Sequence, residues 1–346
     1  MTKFRVLLVG SGGIGTIAAL NLETGHQAQV SCVLRSNYKA VVENGFTIDS
    51  CDHGKVSNWR PTGVLHVLDK RNAVQLIRAV LNAVPHHSFD RFDYIVCCTK
   101  NVPDSSPTLP DIIASAVAPG HTVIVLIQNG LNIERPFMAR FPDNVVLSGV
   151  SRTDAHEIAP GVIQHKQPDV LNIGAFSNPS LPTGDSVSAA KNFVRMYSAG
   201  GKTRCRFDED VALDRWRKLV YNATLNPICA LTGLDTGTLQ LEQRSMETLV
   251  RPAMREVIQV AAALGQQLPD GIIETTIASN PVEQRISPSM LMDIRKGNLI
   301  EHENILGEVV REAQAHSVDT PTLHMLYNLC CAVQLRTKQS MGLISK

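Results

Sequence analysis

The sequence predicts an α/β domain over residues 1–206, followed by an all-α domain over residues 207–346. In the first part, short β-type runs alternate with helical periods, which is typical of a mostly parallel sheet covered by helices. After Gly200-Gly201 and a last β run at 203–207, helical periods dominate. Since a single core stops growing at about 250–300 residues, the 346-residue chain is expected to form two cores.

The first strand of the α/β domain leads directly into a glycine-rich turn. Phe4 to Val9 form a short apolar run, and a helix is predicted at 13–25. The G-x-G-x-x-G turn between them consists of Gly10, Ser11, Gly12, Gly13, Ile14 and Gly15. In such a turn the first glycine permits a tight bend, the second leaves room for a pyrophosphate, and the third lets helix and strand pack closely. Because the helix N–H groups then face the anion, we predict that the turn binds a dinucleotide in a Rossmann-type domain.

The residues after the second strand favour NADP(H) as the cofactor. NAD sites usually place an acidic residue there, about 20 residues after the glycines, to hold the ribose 2′-hydroxyl. Here the predicted strand 29–34 ends in Arg35, Ser36 and Asn37, with Lys39 close behind and no carboxylate. A guanidinium suits a 2′-phosphate, so Arg35 is predicted to bind it. The alternative is that Arg35 is only a solvated loop charge.

Charge and hydropathy exclude several classes of function. The formal net charge is +1 and the aromatic fraction is 5%, which provides neither a basic surface nor a stacking platform for nucleic acid. No apolar run reaches the roughly 20 residues that a membrane-spanning helix needs. The first strand begins at residue 4 and leaves no room for a signal peptide, so the expected location is cytoplasmic.

The eight cysteines show no C-x-x-C spacing. Several lie in apolar segments, so we expect free buried thiols and a reducing compartment. Cys51 and His53 offer two metal-ligand types without a second pair, and no metal site is predicted.

Periodicity also assigns the remaining elements of the α/β domain. Further strands are predicted at 93–99, 122–127, 145–150, 162–165 and 170–176. Further helices are predicted at 109–118, 131–140 and 186–199. The less regular region 44–92 fits a β pair at 46–50 and 64–68, followed by a helix at 70–83.

Two polar residues follow neighbouring strands of the predicted sheet. Lys100 follows the strand at 93–99, and Asn129 follows the strand at 122–127. Ligands of open α/β sheets bind outside the carboxyl ends of the strands, so a cofactor role is predicted for both residues. Each of them alone also fits an ordinary turn. The substrate is expected in the crevice between the two domains.

The helical domain carries a polar stripe on a helix predicted at 209–232. Lys218, Asn222 and Asn226 are spaced i, i+4 and i+8, so they share one face of that helix. Asn is a poor residue for a helix interior because its side chain competes for backbone hydrogen bonds. The stripe therefore indicates either a ligand-binding face or a solvated one.

Five spaced motifs together resemble the 2-dehydropantoate 2-reductase (ketopantoate reductase) family. They are the glycine turn, Lys100 after its strand, Asn129-Gly130, Trp-Arg-Lys-Leu-x-x-Asn-x-x-x-Asn-Pro at 216–227, and Ser-Met-Leu-x-Asp-Ile-Arg at 289–295. The family's Glu, twelve residues after that serine, falls on Glu301. Without the resemblance, Ser289 fits a plain helix N-cap and Glu301 a surface acid.

The resemblance implies a role for each matching residue. Lys218 matches the proton donor, and Glu301 either anchors the nicotinamide ribose or orients Lys218. The positions that hold the keto acid are matched by Asn129, Asn222, Asn226 and Ser289. The cofactor-side positions near the nicotinamide are matched by Lys100, Asn129 and Glu301. The implied reaction is the NADPH-dependent reduction of 2-dehydropantoate to (R)-pantoate in pantothenate and coenzyme A biosynthesis, with Lys218 as general acid.

The chain also departs from the family pattern. Thr236-Gly237 stands where the family often has Asn-Gly, so Thr236 is predicted to bind substrate through a changed hydrogen bond. The alternatives are a reductase of a different 2-keto acid with the same fold, or a non-catalytic NADP(H)-binding sensor. Apolar helix faces, for example at Leu225, Ile228 and Leu231, fit an internal core or a homodimer interface equally.

Overall fold

A computed structural model describes residues 3–68, 74–78, 80–88 and 91–345. Backbone contacts divide the chain into two compact units, each with its own apolar core, as the chain length predicts. Unit 1 comprises residues 1–100, 107–128 and 134–211, and unit 2 comprises residues 101–106, 129–133 and 212–346. Two short segments from the first half of the chain therefore belong to unit 2. The contacts also keep residues 207–211 in unit 1, beyond the predicted boundary at 206.

Unit 1 contains the strands and the first five helices. Its strands are Phe4–Val9 (β1), Ala28–Val33 (β2), Phe46–Ser50 (β3), Gly54–Trp59 (β4), Val64–Leu68 (β5), Val74–Arg78 (β6), Val80–Leu81 (β7), Tyr94–Cys97 (β8), Val123–Leu126 (β9), Val146–Ser151 (β10), Asp154–Ala159 (β11), Val162–Gln167 (β12), Val170–Ala175 (β13) and Arg204–Phe207 (β14). Its helices are Gly13–Thr24 (α1), Tyr38–Asn44 (α2), Leu109–Ile113 (α3), Arg135–Arg140 (α4) and Thr183–Ser198 (α5).

The main sheet is mostly parallel, as predicted. Its spatial order is β14-β13-β10-β9-β8-β1-β2-β7. Neighbouring strands run parallel except for β10 and β13, which pair antiparallel. Central β1 is fully buried at Val6, Leu7 and Leu8, because a strand inside a helix-covered sheet has no solvent face. The glycine turn leaves the carboxyl end of this strand.

A smaller sheet with the order β11-β12-β3-β4 accompanies the main one. Strands β5 and β6 form a separate antiparallel pair in which Val64 lies opposite Arg78. The helix predicted at 70–83 is therefore wrong at 74–78 and 80–81, where the chain forms strands; residues 70–73 and 79 lie outside the described residues. A short apolar run fits the period of a helix as well as that of a strand, and here the pairing of β6 with β5 decides in favour of the strand.

Unit 2 is helical in its described residues, as predicted. Its α-helices are Leu225–Thr232 (α7), Thr236–Leu241 (α8), Gln243–Ser245 (α9), Arg251–Ala263 (α10), Ile272–Ala278 (α11), Ser289–Arg295 (α12), Glu308–Ala315 (α13) and Pro321–Ser340 (α14). Helix α6, Val211–Asn222, begins at the boundary of the two units. Single π-helical turns at Met246–Val250 and Glu303–Gly307 precede α10 and α13.

The single helix predicted at 209–232 is wrong, because α6 ends at Asn222 and α7 begins at Leu225. Pro227 explains the break. Inside a continuous helix it would remove a hydrogen bond and clash with the preceding turn, whereas in the first turn of α7 no intrahelical N–H partner is needed. The predicted stripe therefore changes direction between Asn222 and Asn226.

All eight cysteines are free, as predicted, and Cys32, Cys97, Cys229 and Cys330 are buried. Within the described ranges, no helix has both the length and the apolar character required to cross a membrane.

Candidate functional site

The glycine turn of unit 1 has the geometry predicted for it. Gly10 has a φ of 99°, and a Cβ there would lie 2.6 Å from the Thr99 backbone nitrogen. A Cβ on Gly15 would collide with the carbonyl oxygen of Gly10, so its absence lets α1 pack against the end of β1. By contrast, a Cβ on Gly12 would meet no atom within 4 Å. The space beside Gly12 is where a pyrophosphate would approach the backbone.

The amino end of α1 suits an anion. Its N-cap is Gly12, no side chain caps the first turn, and the first turn holds no acidic residue. Uncapped N–H groups and the positive end of the helix dipole both favour a phosphate at this position. The residues of the turn therefore fit a dinucleotide.

Replacing Gly12 by Ala tests this arrangement without disturbing the fold. The backbone at Gly12, with φ −81°, is accessible to alanine, and the added methyl points into open space. We expect an unchanged melting temperature and a loss of about 1 to 3 kcal/mol in dinucleotide affinity, the usual cost of overpacking. Gly184→Ala is the control, because an added methyl there also meets no atom within 4 Å and the residue lies in α5, outside the turn. Equal dinucleotide affinity for Gly12→Ala and the parent chain would contradict the prediction.

The loop after β2 is tied to the glycine turn through a residue that the sequence did not single out. The buried Asn37 amide donates to the Ser11 carbonyl at 2.9 Å and to the Glu157 carboxylate at 2.8 Å. The Glu157 Oε1 atom also accepts the Gly161 N–H at 2.9 Å. Arg35 is exposed, two residues before Asn37. Asn37 is identified by its contacts with Ser11 and with Glu157 on β11, a strand that periodicity did not predict.

Lys100 and the strand end beside it belong to unit 1. Lys100 is exposed. The preceding Thr99 carbonyl accepts a hydrogen bond from the Gln128 amide at 2.8 Å, which joins the ends of β8 and β9. The cofactor role of Lys100 stays a prediction.

Within unit 2, three of the predicted residues form one hydrogen-bonded chain. The half-buried Lys218 donates from Nζ to Asn129 Oδ1 at 2.6 Å. Asn129 Nδ2 in turn donates to Glu301 Oε2 at 3.4 Å. Glu301 is 4% exposed, and its Oε1 accepts the Asn101 N–H at 2.9 Å.

The chemistry of these groups fixes the orientation of the Asn129 amide. An ammonium only donates hydrogen bonds, so Lys218 requires the oxygen of Asn129. An ionised carboxylate only accepts, so Glu301 requires the NH₂ group. Asn129 therefore connects Glu301 to Lys218 by hydrogen bonds, and the role of Glu301 stays a prediction.

Two residues missed by sequence reasoning hold the Asn129 segment in place. The buried Arg215, one turn before Lys218 on α6, donates to the Gly130 carbonyl at 2.9 Å. Asn304 donates from Nδ2 to the Leu131 carbonyl at 2.9 Å, and its own carbonyl accepts the Leu131 N–H at 2.7 Å. Gly130 has a φ of 102°, and a Cβ there would lie 2.5 Å from that of Asn304. The close approach explains the glycine after Asn129.

Asn226 and Ser289 are also in contact, but the Asn226 side chain accepts a hydrogen bond from a backbone N–H group as well. Asn226 is fully buried, and its Oδ1 accepts the Met290 N–H at 3.0 Å while its Nδ2 donates to Ser289 Oγ at 3.4 Å. Pro288 is the N-cap of α12, and no side chain of its own caps that helix. The plain N-cap interpretation of Ser289 is therefore wrong, since Asn226 supplies the cap from α7.

Asn222 and Thr236 are buried polar residues of unit 2. Asn222 lies one turn after Lys218 on the same face of α6 and is 6% exposed. Thr236 is 0% exposed, and its Oγ1 lacks a hydrogen-bond partner among the residues described. Since buried polar groups are nearly always paired, the Thr236 hydroxyl is a candidate for contact with a ligand.

Two family models match this chain. A model described as "Ketopantoate reductase PanE/ApbA" matches residues 6–178, and one described as "Ketopantoate reductase PanE/ApbA C terminal" matches residues 210–334. The chain belongs to the ketopantoate reductase family. Membership of the ketopantoate reductase family implies an oxidoreductase and confirms the predicted fold class.

Individual relatives agree with the ketopantoate reductase assignment. An uncharacterized protein of Saccharomyces cerevisiae is 36% identical over 358 residues, covering 98% of this chain and 96% of its own. The crystal structure of 2-dehydropantoate 2-reductase from Methylococcus capsulatus is 31% identical, with a TM-score of 0.78 and coverage of 98% of this chain and 99% of its own. The ternary structure of D-mandelate dehydrogenase with NADH and anilino(oxo)acetate shares the fold at 19% identity and a TM-score of 0.77, covering 97% and 100%.

Proposed function

We propose that this chain reduces 2-dehydropantoate to (R)-pantoate with NADPH, as a cytoplasmic step of pantothenate and coenzyme A biosynthesis. Family membership supports the reaction class. The observation that carries the proposal is the Lys218 ammonium, half-buried and hydrogen-bonded to an amide that a buried carboxylate orients. A binding module would have no need of such a positioned proton donor.

The mechanism assigns the proton to Lys218. When bound, NADPH supplies a hydride to the ketone carbon of the substrate, and negative charge develops on the ketone oxygen. Lys218 Nζ stabilises that charge and transfers a proton to the oxygen, a contribution of typically 10²–10⁴-fold for a general acid. Asn129 holds the ammonium in one direction, so little reorganisation is needed during the reaction.

The substrate contacts come from the remaining polar residues of unit 2. Asn222 is the strongest candidate, because it is buried and shares a helix face with Lys218. Ser289 offers a half-buried hydroxyl that Asn226 orients. In this proposal Asn226 acts chiefly by fixing α12 and Ser289, and Thr236 contributes its unpaired hydroxyl.

Glu301 is proposed as a positioning residue for Lys218, and Glu301→Gln tests that role. A glutamine cannot accept from both Asn101 and Asn129 without placing its own NH₂ group against a donor. Asn129 must then turn, and its oxygen no longer faces Lys218. We expect kcat to fall by about tenfold or more, the effect of losing about 1.4 kcal/mol of transition-state stabilisation. The KM for NADPH is expected to change little.

Glu256→Gln is the matched control for Glu301→Gln. Glu256 is also a buried carboxylate of unit 2 that accepts two hydrogen bonds, from the Thr322 and Leu323 N–H groups. The Glu256→Gln variant is expected to have a lower melting temperature and an unchanged kcat. If Glu301→Gln instead raises the KM for NADPH at constant kcat, Glu301 anchors the cofactor ribose.

A panel of 2-keto acids tests the proposed reaction. The purified chain is mixed with NADPH and each acid, and nicotinamide absorbance is followed. The highest kcat/KM is expected with 2-dehydropantoate. Thr236 stands where the family often has Asn, and this difference favours a second candidate function, the reduction of another 2-keto acid. Tight NADPH binding without turnover on any acid would favour the sensor alternative.

A further inference from the structure

Three metal-ligating side chains converge at one end of the smaller sheet in unit 1. Cys51 and Asp52 lie in the turn after β3, and His165 lies on β12, the parallel neighbour of that strand. The His165 Nε2 atom lies 3.9 Å from Cys51 Sγ and 3.8 Å from Asp52 Oδ2. The sulfur, nitrogen and oxygen atoms all lie within 4.8 Å of one another. We propose that Cys51, Asp52 and His165 form a Zn²⁺ site, independent of the reductase function proposed above.

The separations of the three atoms suit a tetrahedral ion. With Zn–S near 2.3 Å and Zn–N near 2.0–2.1 Å, tetrahedral geometry places neighbouring ligand atoms about 3.5 Å apart. The distances to His165 Nε2 exceed that value by only a few tenths of an ångström. Cys51 is exposed, so a small rotation of its side chain closes the gap, and the same exposure leaves a fourth position for water. Thiolate and imidazole ligands favour Zn²⁺ over Mg²⁺ or Ca²⁺.

The surroundings hold the ligands in the orientation that a metal requires. His165 is buried, and its Nδ1 is hydrogen-bonded to Ser50 Oγ at 2.8 Å, so Nε2 faces Cys51 and Asp52. Asp52 Oδ2 accepts the Asp169 N–H at 2.8 Å. Partners of this kind behind the ligands orient them and raise metal affinity. His53, considered from the sequence as a partner of Cys51, is instead engaged by Asn21 at 2.8 Å.

A comparable cluster in unit 2 differs in charge. His302, Glu303 and Cys331 also lie close together, but Glu303 is paired with Arg311 at 3.0 Å and with the Tyr327 hydroxyl at 2.9 Å. The hydrogen bond from His302 is the main cause that lowers the pKa of Glu303 to about 2. The Arg311 guanidinium beside Glu303 would repel a metal cation. Asp52 forms no ion pair with Lys or Arg in the described part of the chain, which favours the unit 1 cluster.

Binding requires the thiolate of Cys51. Where Cys51 is present as the thiol, its S–H proton must leave before the sulfur can bind the metal. Zn²⁺ replaces that proton, which passes to water, and the sulfur, imidazole and carboxylate then donate electron pairs to the ion. No oxidation or reduction takes place.

The test uses the full chain after treatment with a chelator. Zn²⁺ is titrated by calorimetry, and Co²⁺ is added separately to detect a thiolate-to-cobalt absorption band. We expect one equivalent of Zn²⁺ and a thiolate band in the parent chain, with the band lost in Cys51→Ser and the affinity lowered in Asp52→Asn. Ser50→Ala is expected to weaken Zn²⁺ binding by about 10- to 100-fold, the usual effect of removing a group behind a ligand.

Cys331→Ser is the matched control, because it removes the thiol of the unit 2 cluster. Its Zn²⁺ affinity and cobalt band are expected to equal those of the parent chain. The proposal is overturned if the parent chain takes up no stoichiometric Zn²⁺, if uptake survives both Cys51→Ser and Asp52→Asn, or if Cys331→Ser abolishes it. A cobalt band retained in Cys331→Ser assigns the thiolate to the unit 1 cluster even if a variant of that cluster folds poorly.

Discussion

Lys218→Ala is expected to lower kcat by about 10²–10⁴-fold, the range typical for loss of a general acid. In the proposed mechanism, the alanine variant loses both the proton that is transferred and the positive charge that stabilises the developing alkoxide. Lys218 belongs to α6 in unit 2, whereas the glycine turn belongs to unit 1, so NADPH affinity is expected to change little. Steady-state kinetics with saturating NADPH, together with a direct titration of NADPH, measure the two effects.

Arg217→Ala is the control for Lys218→Ala. Arg217 is the adjacent cation on the same helix, and it is exposed. Its removal tests whether any nearby positive charge supports turnover. We expect kcat to be close to that of the parent chain. Unchanged turnover in Lys218→Ala would remove Lys218 from the mechanism.

Arg35→Ala is expected to weaken NADPH binding far more than NADH binding. Hydrogen bonds to a charged group contribute about 1.5–3 kcal/mol, so the loss for NADPH is roughly 10- to 150-fold. NADH lacks the 2′-phosphate, and its affinity is expected to change little.

The ratio of the two dissociation constants is the measurement that matters for Arg35. Arg140→Ala, which removes another exposed cation of unit 1, controls for a general change in electrostatic attraction. It is expected to leave the ratio unchanged. An equal loss for NADPH and NADH in Arg35→Ala would show that this side chain does not contact the 2′-phosphate.

The parts of the fold that depend on local pattern could be predicted from the sequence. The strand, glycine turn and helix at 4–24 follow one another directly, and the close contact of Gly15 with the Gly10 carbonyl lies within this segment. Pro227 also signalled a break in the helix at 209–232, although the apolar periodicity across it concealed the interruption. At 74–78 the local pattern was ambiguous, and pairing with β5 decided the outcome.

The candidate site could be predicted only in part, because its contacts join distant residues. Lys218 and Asn129 are 89 positions apart, and Asn129 and Glu301 are 172 positions apart. Their motifs marked them as a group, but no spacing indicated that the Asn129 amide connects the other two. Arg215 and Asn304 bind backbone carbonyls, so nothing in their residue type pointed to a role. Such residues become visible only when the segment that they hold is located.

The assignment of residues 101–106 and 129–133 to unit 2 limits how modular this enzyme can be. The Lys218 environment includes segments from within the α/β half of the sequence, so a fragment that starts at α6 would carry the ammonium without Asn129. A chimera that exchanged the helical half with that of a relative would pair the new lysine with foreign 101–106 and 129–133 segments. We expect such an exchange to preserve the Lys218 environment only if these two segments are transferred together with the helices.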